Sequence, residues 1–120
     1  MKLAHTMIRV RDLERSVAFY TDFLALREVG RKDLGDDATL VFLADDSGHH
    51  QIELTYNKDG RDYLLGDQFG HLAFTTGDLD GVVAQVEASG GWYRRSRPES
   101  SSSYIFIKDP DGYEIEILQA

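Results

Sequence analysis

Two histidines and two glutamates recur in step along this chain. His5 opens the run HTMIRVRDL, followed by Val17-Ala18, and His71, 66 residues later, opens HLAFTTGDL, followed by Val83-Ala84. In both runs an Asp-Leu pair, Asp12-Leu13 and Asp78-Leu79, begins seven positions after the histidine. Self-similarity at a fixed spacing marks an internal duplication, and a duplicated unit that keeps its histidine offers two equivalent imidazoles for metal ligation or proton transfer. The glutamates follow the same logic. Along 51 to 57, Gln51, Glu53, Thr55 and Asn57 alternate with Ile52, Leu54 and Tyr56; along 113 to 118, Glu114, Glu116 and Leu118 oppose Tyr113, Ile115 and Ile117. Period-two alternation puts Glu53 and Glu116 on the polar faces of strands whose other faces are apolar.

Each half thus brings a histidine from its first strand and a glutamate from its last to the face away from its helix. Two imidazoles and two carboxylates, His5, Glu53, His71 and Glu116, make a divalent metal site. An acid inside Ile115-Glu116-Ile117-Leu118 is costly to bury without a partner, and a cation supplies one. The alternative is histidines retained as relics of duplication beside solvated glutamates. His49 and His50 lie at a hairpin entry beside Ser47-Gly48 and are expected at the surface. Glu114 shares the face of Glu116 and is expected at the rim of the site.

The elements that must position these groups can be read in order. Residues 2 to 11 alternate as a strand, with Leu3, His5, Met7 and Arg9 on one face and Ala4, Thr6, Ile8 and Val10 on the other. Asp12 is a good N-cap for a helix over 13 to 24, whose apolar stripe is Leu13, Val17, Tyr20 and Leu24 with Phe23 beside it. Strands are predicted near 26 to 32, 39 to 45 and 50 to 57, separated by turn-rich segments. The second half repeats the order: a strand over 69 to 76, a helix capped by Asp78 and ended at Gly90-Gly91, then strands at 92 to 96, 103 to 108 and 113 to 118. Asp109-Pro110-Asp111-Gly112 joins the last two as a tight turn, and Arg97 to Ser103 is a polar loop whose four serines suggest mobility. The reading is one α+β domain over 1–120, built from two tandem βαβββ modules, about 1–57 and 69–120, with a linker at 58–68.

Composition narrows the function further. With 42% hydrophobic and 28% charged residues the chain is globular in type, and each half of roughly 60 residues would depend on a partner half or a second chain for burial. A net charge of -8 repels phosphate backbones, so nucleic-acid binding is excluded as a leading function. No stretch approaches the roughly 20 apolar residues of a membrane span, and the N-terminus has no signal-peptide core. Zero cysteines remove disulfides, thiolate ligands and cysteine nucleophiles together. A soluble cytoplasmic protein is expected.

The segments HTMIRVRDLERSVAFYTDFLAL, IELTYN, FGHLAF and DPDGYEIEIL together resemble glyoxalase I, the lactoylglutathione lyases of the vicinal oxygen chelate superfamily. The likeness spans nearly the whole chain, and all four metal positions of the bacterial family match His5, Glu53, His71 and Glu116. It implies the paired βαβββ fold, usually as a homodimer in which each site takes His5 and Glu53 from one chain and His71 and Glu116 from the other. The implied substrate is the hemithioacetal of methylglyoxal and glutathione, isomerised to the thioester with a metal as Lewis acid and a glutamate as proton shuttle. Glu116 is the implied base for the favoured stereoisomer and Glu53 could serve the opposite face. Arg9 and Asn57, on the faces of His5 and Glu53, resemble the positions that hold the γ-glutamyl end of glutathione.

A nitrogen and oxygen donor set without thiolate favours Ni2+ or Co2+, with Zn2+ or Mn2+ possible. The chain departs from the family pattern at Asp67, where some members carry an arginine, and in the short serine loop, where many supply a lysine. These changes put the thiol in question but leave the metal set complete. Two alternatives stand beside the leading one. One is a related epimerase or lyase with another thiol or substrate, and the other is a ligand-sequestering protein of the bleomycin-resistance type, which has no need of a complete catalytic metal set.

Overall fold

The computed structural model describes residues 1–120, which divide into two compact units, 1–64 and 65–120. The first contains β1 (His5–Arg9), α1 (Leu13–Ala18), a π-helical turn (Phe19–Phe23), β2 (Arg27–Asp33), β3 (Ala38–Ala44) and β4 (Gln51–Asn57). The second contains β5 (His71–Thr76), α2 (Leu79–Ala88), β6 (Tyr93–Arg95), β7 (Tyr104–Lys108) and β8 (Glu114–Gln119). Each is a βαβββ module, as the periodicity predicts, and the whole is a mixed α+β fold.

The sheets have matching topology. The first runs β1-β4-β3-β2 and the second β5-β8-β7-β6. In each, the outer strand that bears the histidine lies parallel to the module's last strand, β1 on β4 and β5 on β8. A parallel pair needs a crossover, and the helix supplies its first part. α1 packs on β4 and α2 on β8. Strand and helix residues together supply the cores: Ile8, Leu43, Ile52, Leu54 and Tyr20 in the first unit, and Val83, Val86, Ile105, Ile115 and Ile117 in the second.

Both predicted caps form. Asp12 accepts from the Arg15 amide and Asp78 from the Gly81 amide, which satisfies donors that a helix start leaves unpaired. The first helix departs from expectation. Instead of one α-helix over 13 to 24, it widens into a π turn after Ala18. Thr21 Oγ1 donates to the Val17 carbonyl at 2.8 Å, and the Leu24 amide reaches back five residues to Phe19, so a side chain competes for the ladder. Ala25 then takes φ 59°, the only non-glycine residue at positive φ, and ends the element. Fully buried Ser16 and Tyr20 anchor the helix, while Leu13, Val17, Phe23 and Leu24 are only part-buried.

The turn 109 to 112 fixes β8 relative to β7. Asp109, 6% exposed, accepts from the amides of Asp111 and Tyr113 at 2.9 Å each, and Gly112 has φ 91°. That knot sets the register in which Glu116 lies opposite Phe106. No helix is long and apolar enough to cross a membrane.

Candidate metal centre

In the first unit His5 pairs in register with Gln51, and Met7 with Glu53. His5 and Glu53 are therefore diagonal neighbours on one face of two parallel strands. His5 Nε2 stands 3.6 Å from Glu53 Oε1. The second unit repeats the placement: His71 is opposite Glu114, Ala73 is opposite Glu116, and His71 Nε2 is 3.2 Å from Glu116 Oε2. In both pairs the imidazole is about two-fifths exposed and the carboxylate far less so, 13% for Glu53 and 18% for Glu116. The sequence thus brings each predicted histidine to its predicted glutamate.

A phenylalanine fixes each imidazole. Phe42 on β3 lies opposite Glu53 and meets His5 edge-on at 5.6 Å between ring centres, and Phe106 on β7 lies opposite Glu116 and meets His71 edge-on at 5.0 Å. Edge-on ring pairs are a favoured arrangement. Sequence reasoning did not single out either phenylalanine. The duplication carried the signal, because Phe42 and Phe106 hold the same place in the third strand of each module.

The surroundings of the two glutamates differ. Thr55 Oγ1 donates to Glu53 Oε2 at 2.7 Å, whereas Leu118 holds the matching position two residues after Glu116. Another difference lies one strand further out. Arg94 lies opposite Phe106 with its guanidinium 4.8 Å from the ring centre, while Gly30 lies opposite Phe42. Arg94 therefore sits on the face of His71 and Glu116, a placement that the sequence alone did not single out.

Arg9 and Asn57 extend the first pair. Arg9 is opposite Thr55, so it stands to Asn57 as His5 stands to Glu53. The Tyr63 hydroxyl donates to Asn57 Oδ1 at 3.2 Å, which leaves the amide nitrogen as a donor. Beside them a cavity of about 290 Å³ is lined by Arg11, Tyr56, Asn57, Arg61, Asp62 and Tyr63, among others. There Arg11 donates to Asp62 Oδ1 at 2.7 Å and also to the Tyr63 carbonyl. The Arg11 guanidinium, with help from the Tyr63 amide, holds the Asp62 carboxyl below the usual carboxylate range.

The remaining candidates fall outside the pairs. Glu114, opposite Lys108 and half-buried, lines a second cavity with Leu65, Phe69 and Tyr113. His49 is exposed as expected. His50 is not: it is part-buried, with Nε2 3.0 Å from Thr6 Oγ1 and a buried Nδ1 without a partner, because it enters β4 directly and the parallel neighbour β1 covers it.

The donor chemistry fits a divalent cation. Ligands about 2.0 to 2.2 Å from one ion and at right angles stand about 3 Å apart, close to the observed nitrogen–oxygen separations of 3.2 and 3.6 Å. Imidazole nitrogen with carboxylate oxygen suits borderline first-row metals. Within either unit no third His, Asp or Glu joins the pair, so each unit offers two donors.

Comparison with known proteins agrees with the geometry. Residues 2–117 match the model of the Glyoxalase/Bleomycin resistance protein/Dioxygenase superfamily. The chain is 38% identical to a lactoylglutathione lyase of Haemophilus influenzae, covering 99% of this chain and 93% of that one, and 37% identical to one from Neisseria meningitidis, covering 99% and 91%. Among solved structures, the trypanothione-dependent glyoxalase I of Leishmania major superposes with a TM-score of 0.85 at 34% identity, over 99% of this chain and 86% of that one.

Proposed function

The chain belongs to the Glyoxalase/Bleomycin resistance protein/Dioxygenase superfamily and, within it, to the lactoylglutathione lyases, and from that premise we propose that it isomerises the hemithioacetal of methylglyoxal and glutathione to S-lactoylglutathione. The observation that carries the reading is the doubled His/Glu diagonal, His5 with Glu53 and His71 with Glu116, at the same register of two matching sheets. A sequestering cleft would have no use for it. His5, Glu53, His71 and Glu116 would hold one divalent metal, Ni2+ or Co2+ before Zn2+ or Mn2+. When bound, it supplies Lewis-acid stabilisation of the negative charge that develops on the substrate oxygens.

The chain's own groups do the rest. Glu116, which carries no hydroxyl hydrogen bond, takes the proton from C1 of the substrate and returns it to C2. Oxidation of one carbon and reduction of its neighbour occur within one molecule, so the reaction balances without an outside oxidant. Arg9 and the free amide nitrogen of Asn57 bind the γ-glutamyl end of the thiol, and a guanidinium there also draws an anion toward a chain of net charge -8. Each unit offers two donors, and the family resemblance supports a homodimer that completes the set, with His5 and Glu53 of one protomer meeting His71 and Glu116 of its partner. A chain without cysteine has no disulfide that would require an oxidising compartment, which is compatible with work in the cytoplasm.

The test is thioester formation from methylglyoxal and glutathione, followed by ultraviolet absorbance, in protein stripped of metal and then reloaded. Turnover that depends on metal is expected. Its absence with every divalent ion, while methylglyoxal adducts still bind, would favour the sequestering alternative.

A further inference from the structure

The duplication supplies an internal control for each residue of the site, and the two modules part company next to the glutamates. Glu53 and Glu116 occupy the same register, each with a histidine diagonally across a parallel strand and a phenylalanine directly opposite. Two residues on, along the same strand face, one module has Thr55 and the other Leu118. Thr55 is 6% exposed, and its backbone is held on both sides, opposite Arg9 of β1 and Leu40 of β3. A β-branched side chain in that setting has little rotamer freedom. Its hydroxyl donates to Glu53 Oε2 at 2.7 Å, the short, charge-assisted kind of hydrogen bond.

That bond divides the work of the Glu53 carboxylate between its oxygens. Oε2 is taken by Thr55, and Oε1 is the oxygen that faces His5 Nε2. Glu116 has an oxygen facing His71 but no hydroxyl on its other one. We propose that Thr55 is a positioning residue that anchors Glu53 as the fixed metal ligand, and that its replacement by Leu118 in the second module leaves Glu116 free to leave its ligand position and carry the substrate proton. The inference rests on the proposed metal site and adds to it the reason why two carboxylates made equivalent by duplication take different parts. The anchor acts before any substrate arrives.

Titration of nickel chloride into metal-free protein, followed calorimetrically, reads the anchor without turnover. Thr55→Val keeps the shape and removes the hydroxyl, while Thr55→Ser keeps the hydroxyl. Loss of a hydrogen bond to a metal ligand typically weakens binding about 10-fold to 100-fold, and that loss is expected for Thr55→Val, with Thr55→Ser close to the unsubstituted chain. Thr55→Ala makes the same comparison should the valine variant fold poorly. Equal nickel affinity in Thr55→Val and Thr55→Ser would overturn the proposal. A chain that binds no nickel at all would instead refute the metal site itself, and the anchor with it.

Discussion

Replacing Glu116 by glutamine separates its proposed role as base from its role as ligand. The substitution keeps a coordinating oxygen and nearly the same volume in a side chain that is only 18% exposed, between Ile115 and Ile117 of the core. Two effects of very different size compete. If Glu116 were only the partner of His71, at 3.2 Å with the imidazole about two-fifths exposed, the change would remove a partly solvated polar contact worth about 0 to 1 kcal/mol. That is a rate effect of about fivefold at most. General-base catalysis contributes about a hundredfold to ten-thousandfold, equivalent to about 3 to 5.5 kcal/mol of barrier. The ranges do not overlap, so the assay decides. Initial rates of thioester formation are divided by metal content measured on the same sample, so that loss of ligand and loss of base are counted apart. Glu116→Gln should lose at least about a hundredfold per bound metal, and Glu53→Gln should lose less. Full activity in metal-loaded Glu116→Gln would refute the assignment, and a larger loss from Glu53→Gln would reverse the two roles.

Three other outcomes are expected. Metal-stripped protein should recover more activity with nickel or cobalt than with zinc, because the donor set has no thiolate; zinc activity equal to or above nickel activity contradicts this. Mixing inactive His5→Ala and Glu116→Ala chains should restore about a quarter of full activity after random exchange, since half the dimers are mixed and each has one intact site of two; no recovery after demonstrated exchange means that one chain supplies all four ligands. In a carbon-detected titration, Asp62 should deprotonate below the usual carboxylate range, and Arg11→Met should return it toward that range. The sign follows from a depressed folded value: the tie is fully present above the unfolded value of about 3.9 and is lost as pH falls through the folded one.

How much of this was legible in the sequence depended on distance along the chain. Alternation within a strand is local, so the shared faces of His5 with Arg9, and of Glu53 with Thr55 and Asn57, could be read directly, as could the caps Asp12 and Asp78. Which strands lie side by side is not local. That β1 runs parallel to β4 and β5 to β8 places His5 beside Glu53 and His71 beside Glu116, and the resemblance to a family with those four ligands supplied what spacing could not. Phe42 and Phe106 stood inside predicted strands with no local mark to distinguish them from other core residues. The π turn at 19 to 23 was hidden because the apolar stripe through Tyr20 and Phe23 suits an α-helix equally well. The competing Thr21 bond to the Val17 carbonyl shows only once the backbone is in place.

The duplication also explains why the differences between modules were harder to read than the likenesses. Repeated residues announce themselves, and His5 and His71 did so from the first line of the chain. A residue that fails to repeat carries meaning only when its counterpart is known, and the counterpart of Thr55 is fixed by register rather than by similarity. Two near-identical sheets can supply a symmetric pair of ligands without further specification. A proton, however, must be carried by one carboxylate at a time. The symmetry therefore has to be broken by residues around the ligands, and Thr55 with Leu118, and Gly30 with Arg94, are two of the positions on the site face where these modules differ.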